Sequence, residues 1–96
     1  MNLNDLYTFA TVAKYGTLTA AAKKLSVPKS TVSRRLTRLE DDLGVELFSR
    51  SARKIVLTQD GRAFFERIVG SLDEIVEAQR TLQEQSIEPE GILRIT

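Results

Sequence analysis

Residues 29–43 read KSTVSRRLTRLEDDL, and the fold turns on how this stretch is placed. On a helix at about 100° per residue, Val32, Leu36, Leu39 and Leu43 fall at i, i+4, i+7 and i+11 and make one apolar stripe. Ser30, Ser33, Arg34, Thr37 and Asp41 fall opposite, flanked by Lys29, Arg35 and Arg38. One face requires a core. The other carries hydroxyls and cations, groups that reach phosphates and base edges. An ordinary surface helix with a solvated charged face has the same pattern, so the neighbouring segments must decide.

Upstream, Asn2 stands at an N-cap position, with Asp5 three residues on in a capping-box arrangement. Leu3, Leu6, Phe9, Ala10 and Ala13 then repeat at helical spacing, with Val12 at the edge of the stripe. Gly16 ends this helix as a C′ residue, and Thr17 caps the next at once. The second helix runs from Leu18 to Leu25 with Leu18, Ala21, Ala22 and Leu25 on one face. Its small Ala20, Ala21 and Ala22 suit a close helix crossing, although alanine is also simply the best helix former. Ser26, Val27 and Pro28 break the pattern. Proline has no N–H to donate and belongs at the start of a helix, so the third helix begins there. Two helices joined by a turn of about three residues, the second with a polar outer face, form a helix–turn–helix pattern.

Downstream, Gly44 closes the third helix and the period changes. Val45, Leu47 and Phe48 form one β-prone run and Ile55 to Thr58 another, around a basic tip holding Arg50, Arg53 and Lys54. This predicts a hairpin. A hairpin placed after a helix–turn–helix is a wing, whose arginines suit a narrow minor groove or the sugar–phosphate backbone. Thr58 caps a last helix from Gln59 to about Gln85. Along it Phe65, Ile68, Leu72, Ile75, Gln79 and Leu82 alternate by three and four, as a coiled-coil seam with one polar position does. Phe64, Val69 and Val76 widen the stripe toward the head. A helix of about 27 residues is about 40 Å long, more than so small a head can cover, which points to self-association. Gly70 interrupts it at a cost of about 1 kcal/mol relative to Ala; a close helix crossing or a bend would each account for it. Ser86 to Gly91 has linker texture, and residues 92–96 alternate like the start of a strand.

The composition narrows the function classes. The 96 residues contain no Cys and no His, which removes zinc fingers, thiol chemistry, Ser-His triads and imidazole acid–base catalysis. Glu40, Asp41 and Asp42 are the one tight acidic cluster, but consecutive helical residues diverge, so no metal site is expected there. Neither an enzyme nor a cofactor is expected. No apolar run has membrane-span length and the N-terminus is no signal peptide, so a cytoplasmic location is expected. The net charge of +1 conceals an asymmetry: residues 1–62 carry 11 Lys/Arg against 6 Asp/Glu, and residues 63–96 carry 3 against 7. A basic front points to a polyanion. No aromatic platform for stacking RNA bases is evident.

These parts, in this order, resemble the N-terminal DNA-binding domain of the LysR-type transcriptional regulators. The resemblance is carried by Leu6, Phe9, Val12-Ala13, Gly16-Thr17-Leu18-Thr19, Ala21-Ala22 and Leu25. It continues through Val32-Ser33-Arg34, Leu36, Leu39-Glu40, Leu43-Gly44, Leu47-Phe48 and Arg50. Arg53, Leu57-Thr58 and Gly61 extend it, and Gly91 to Ile95 is similar to the first strand of the family's effector-binding domain. The resemblance implies a mainly α fold, with three helices and a two-stranded wing as a winged helix–turn–helix over residues 1–58. A linker and dimerisation helix would span 59–85. Residues 86–96 would be a hinge and the first strand of an effector-binding domain that this chain lacks.

It further implies a bacterial regulator that binds double-stranded DNA as a homodimer, possible as a tetramer at full length, on an inverted-repeat site. Lys29, Ser30, Thr31, Ser33, Arg34, Arg35, Thr37 and Arg38 are then candidates for base or phosphate contact. Arg50, Arg53, Lys54 and Thr58 belong to the wing, and the seam from Phe65 to Leu82 to dimerisation. A small-molecule effector would act only through the absent domain. The chain departs from the family at Pro28, where Ser or Thr is usual, at Lys29, where Gln is common, and at Ser30, often Pro. A helical dimerisation module with an incidental basic face is the competing reading.

Overall fold

The computed structural model describes residues 1–49 and 55–86. Four helices and a two-stranded antiparallel sheet follow in the order α1 (Leu3–Tyr15), α2 (Leu18–Leu25), α3 (Lys29–Leu43), β1 (Phe48–Ser49), β2 (Val56–Leu57) and α4 (Gln59–Ser86). Phe48 pairs with Leu57 and Ser49 with Val56. The fold is thus the expected mainly helical winged helix–turn–helix followed by a long helix. The predicted wing tip, Arg50, Arg53 and Lys54, lies outside the described residues, as do residues 87–96.

Local chemistry sets each boundary. The Asn2 side chain accepts from the Asn4 amide at 2.7 Å and starts α1. Gly16 ends it in the left-handed region at φ 86°, its N–H bonded to the Val12 carbonyl. Thr17 Oγ1 accepts from the Ala20 amide and starts α2. α2 stops at Ser26, which takes φ 59° without being glycine, a conformation that nothing in the local pattern announces. Pro28 occupies the N-cap of α3 without a side-chain hydrogen bond, so the absent hydroxyl is not replaced. Its carbonyl accepts from the Thr31 and Val32 amides.

The core is built from Phe9 and Val12 of α1, Ala21 and Ala22 of α2, Val32, Leu36 and Leu39 of α3, and Leu47 and Phe48. Val12, placed at the edge of its stripe by periodicity, is fully buried, whereas Leu3 is exposed. The buried face of α1 is Asp5, Thr8, Phe9 and Val12, so the helix is rotated toward two polar residues. The α1 capping box does not form either, because the Asp5 carboxylate is spent on Arg38. The ring of Phe9 lies 5.4 Å from that of Phe48, 5.5 Å from Phe64 and 6.3 Å from Phe65. One side chain therefore joins α1, the hairpin and the base of α4.

The strands are shorter than the β-prone runs. The Leu47 and Phe48 amides both donate to Glu40 Oε2, and Val45 is left exposed. The base of α4 meets the hairpin through Thr58, whose amide donates to the Leu47 carbonyl at 3.0 Å. Thr58 Oγ1 donates to the Glu46 carbonyl and accepts from the Gly61 amide. Phe65 and Ile68, assigned by spacing to a seam between chains, pack against the chain's own head, and Leu72 is buried as well. The outer seam, Ile75, Gln79 and Leu82, stays exposed. A Cβ added at Gly70 would meet nothing within 4 Å, so no close crossing within this chain requires that glycine. Among the described residues no helix is long and apolar enough to cross a membrane.

Candidate nucleic-acid interface

The apolar stripe of α3 is seated in the core, which turns the opposite stripe outward. Lys29, Ser30, Arg34 and Thr37 are exposed, and Thr31 and Ser33 are half-buried. Neither Lys29 nor Arg34 makes an ion pair among the described residues. Both keep their donors available.

Arg35 and Arg38 are placed differently from the reading by periodicity. Arg38 Nε donates to Asp5 Oδ2 at 2.8 Å and its Nη2 to Asp5 Oδ1 at 2.7 Å. This is a two-pronged pair in which planar guanidinium matches planar carboxylate. Asp5 is fully buried, while the Arg38 side chain is 49% exposed. Arg35 Nη1 donates to Thr8 Oγ1 at 3.2 Å, and that hydroxyl donates in turn to the Asn4 carbonyl. Both arginines therefore tie α3 to α1. Thr58 likewise has its hydroxyl engaged within the chain, as donor and acceptor.

The hydrogen bond and charge of Arg38 hold the Asp5 carboxyl below the usual carboxylate range against the opposing effect of burial, and Asp5 raises Arg38. A carboxyl whose folded pKa lies below its unfolded value of about 3.9 contributes stability fully present above that value and lost as pH falls through the folded one. Thermal melts below about pH 4 should show this loss, and Asp5→Asn should remove its share of the acid dependence.

On its other flank α3 is held by Glu40. The carboxylate collects two consecutive amides at the exit loop, 2.7 Å from Leu47 N and 3.1 Å from Phe48 N, and so fixes where β1 begins. Glu40→Ala would leave two donors to find other partners, at a cost of about 1–3 kcal/mol. It should weaken DNA affinity beyond the effect on stability, measured by titrating DNA below the melting range.

Asp5 and Glu40 are positioning groups that the sequence pattern alone does not single out. The available signal was their place in the helical wheel. Asp5 shares the face of Phe9 and Val12, and Glu40 borders Leu36, so each carboxylate needed a partner on burial. The turn between α2 and α3 also has a shallow hollow lined by Thr19, Lys23, Ser26 and Lys29 among others, of which only Lys29 was anticipated. Among the described residues no group of three or more metal-ligating side chains forms.

The sequence pattern of the family described as "Bacterial regulatory helix-turn-helix protein, lysR family" matches residues 3–62. The HTH-type transcriptional regulator PtxR of Pseudomonas aeruginosa is 44% identical over all of this chain, which spans 31% of PtxR. Among solved structures, the full-length Vibrio cholerae virulence activator AphB superposes with a TM-score of 0.82 at 33% identity, covering 88% of this chain and 30% of AphB. A CbnR DBD–DNA complex superposes with a TM-score of 0.75 at 36% identity, covering 90% of this chain and 99% of that one. The chain thus spans about three tenths of the length of the full regulators it matches. Matched by that pattern over residues 3–62, more than half of its length, the chain belongs to the lysR family of bacterial regulatory helix–turn–helix proteins.

Proposed function

We propose that this chain is the DNA-binding part of a transcriptional regulator and that it recognises a specific double-stranded sequence with α3 in the major groove. The observation that carries this reading is α3 itself. It is braced by α1 on one flank and by Glu40 on the other, with Lys29, Ser30, Arg34 and Thr37 presented outward. The likeness to a DNA-bound relative supports it. The hairpin tip, Arg50, Arg53 and Lys54, is assigned to the minor groove or backbone. Thr31 and Ser33 complete the set from α3.

The active form proposed is a homodimer on an inverted repeat, paired through α4, with a tetramer at full length. Ile75, Gln79 and Leu82 are exposed along α4. Beside them a groove between α1 and α4 is lined by Tyr7, Tyr15, Leu72 and Val76 among others, and the Tyr7 hydroxyl is buried without a hydrogen-bond partner. A second copy would cover this surface. Residues 1–58, 59–85 and 86–96 are assigned as DNA-binding unit, linker helix and hinge with first strand. Sensing of a small molecule is assigned to a part of the protein beyond this chain, and the location to the bacterial cytoplasm.

The test is a mobility-shift titration against unrelated duplexes and against DNA flanking the protein's own gene. Binding should fall steeply with salt. Absence of binding at micromolar protein would favour the dimerisation module with an incidental basic face. Arg34→Ala should cost about 1–3 kcal/mol on the preferred site and relax discrimination at one base pair, as loss of a bidentate base contact does. An equal loss on every duplex would reassign Arg34 to phosphate.

A further inference from the structure

We infer that Asp5, on a helix outside the proposed DNA-facing surface, is a specificity-determining residue that withholds Arg38 from the DNA backbone. The inference rests on the DNA-binding reading above. α3 carries three arginines, Arg34, Arg35 and Arg38, and α1 engages two of them. Asp5 takes Arg38 through both carboxylate oxygens, and Thr8, one turn further along α1, takes Arg35. Of the three, Arg34 alone has no hydrogen-bond or ion-pair partner among the described residues. Arg34 and Arg38 are one helical turn apart on neighbouring positions of α3. Released from Asp5, Arg38 would put a second mobile cation beside Arg34.

The consequence concerns the sequence-independent part of binding. Each phosphate neutralised by a Lys or Arg strengthens binding to every duplex alike and steepens the salt dependence by about 0.9 in log–log slope. Specificity is the ratio of preferred to unrelated binding. A flexible arginine that reaches phosphate in any register raises the denominator. A fully buried carboxylate, engaged at both oxygens by that arginine, removes one such contact and leaves discrimination to the residues that face the bases.

The experiment uses the whole chain, a random-sequence duplex and a duplex selected by the unaltered protein, titrated from 50 to 200 mM salt. Asp5→Asn keeps the shape and removes the charge. It should tighten binding to the random duplex, steepen its slope by about one, and so add about a fourfold change across this salt range. The double variant Asp5→Asn/Arg38→Gln replaces the ion pair by two neutral amides and should return the slope of the unaltered chain. Helix content and melting are followed for each protein. An unchanged slope in a folded Asp5→Asn protein would overturn the inference. So would a slope lower by about one in the double variant, since Arg38 would then already contact phosphate in the unaltered chain. If Asp5→Asn fails to fold, the double variant decides by the same criterion. Failure of the unaltered chain to bind any duplex would instead defeat the DNA-binding reading, independently of Asp5.

Discussion

Gly61→Ala is expected to detach the base of α4 from the hairpin and to lower the melting temperature by more than about 10 °C, as a loss of about 3 kcal/mol does in a domain of this size. A Cβ at Gly61 would sit 2.0 Å from the Leu47 carbonyl oxygen and 2.9 Å from its carbon. Both are backbone atoms, and Leu47 has no slack. Its amide is bound by Glu40 and its carbonyl accepts from Thr58. The added methyl must push α4 away or break these bonds. Gly70→Ala is the matched control. It lies on the same helix in open space, and in the monomer it should stabilise by up to about 1 kcal/mol. Circular dichroism melts of the two variants separate the close approach from helix propensity. Equal behaviour would mean that Gly61 is not required by packing.

Phe9→Ala should cost about 3–5 kcal/mol, a large part of the 5–15 kcal/mol typical of a whole domain. Phe9 is fully buried, and its ring meets three others, Phe48 from the hairpin and Phe64 and Phe65 from the base of α4. Truncation removes more than transfer free energy, because Phe48, Phe64 and Phe65 converge on the emptied site from elements that cannot all move in together. Phe9→Leu refills much of the space and should retain most of the stability. Urea titrations followed by helix signal check both. A Phe9→Ala loss below about 1 kcal/mol would show that the head repacks freely.

The helical skeleton was legible because each element carries its own punctuation. The limits of α2 and α3 agree with expectation, since Gly16-Thr17, Pro28 and Gly44 act locally on the backbone. The apolar stripe of α3 also went where its spacing pointed. What was not legible depends on partners far along the chain. Asp5 looks like a capping residue until Arg38, 33 residues away, arrives beside it. Phe65 and Ile68 have a spacing that suits a partner helix, yet the nearest apolar surface is their own head. Glu40 reads as part of an acidic helix end, whereas its carboxylate organises the loop that follows. Periodicity reports which face is apolar. It does not report which polar residue on that face has found an opposite charge.

The joint at Thr58 and Gly61 carries a mechanical consequence. The 28-residue α4 is about 42 Å long at 1.5 Å per residue. Its base is held by the Thr58 hydroxyl, the close approach at Gly61 and the packing of Phe64, Phe65 and Ile68 on the head. The part beyond the buried Leu72 projects about 21 Å. That part is therefore a lever. A bend of about 10° where the projecting part begins moves the far tip by about 4 Å, about one base-pair step along B-DNA. In the proposed dimer, where two such levers would be joined, the stiffness of this joint would set the tolerance in the spacing between the two half-sites.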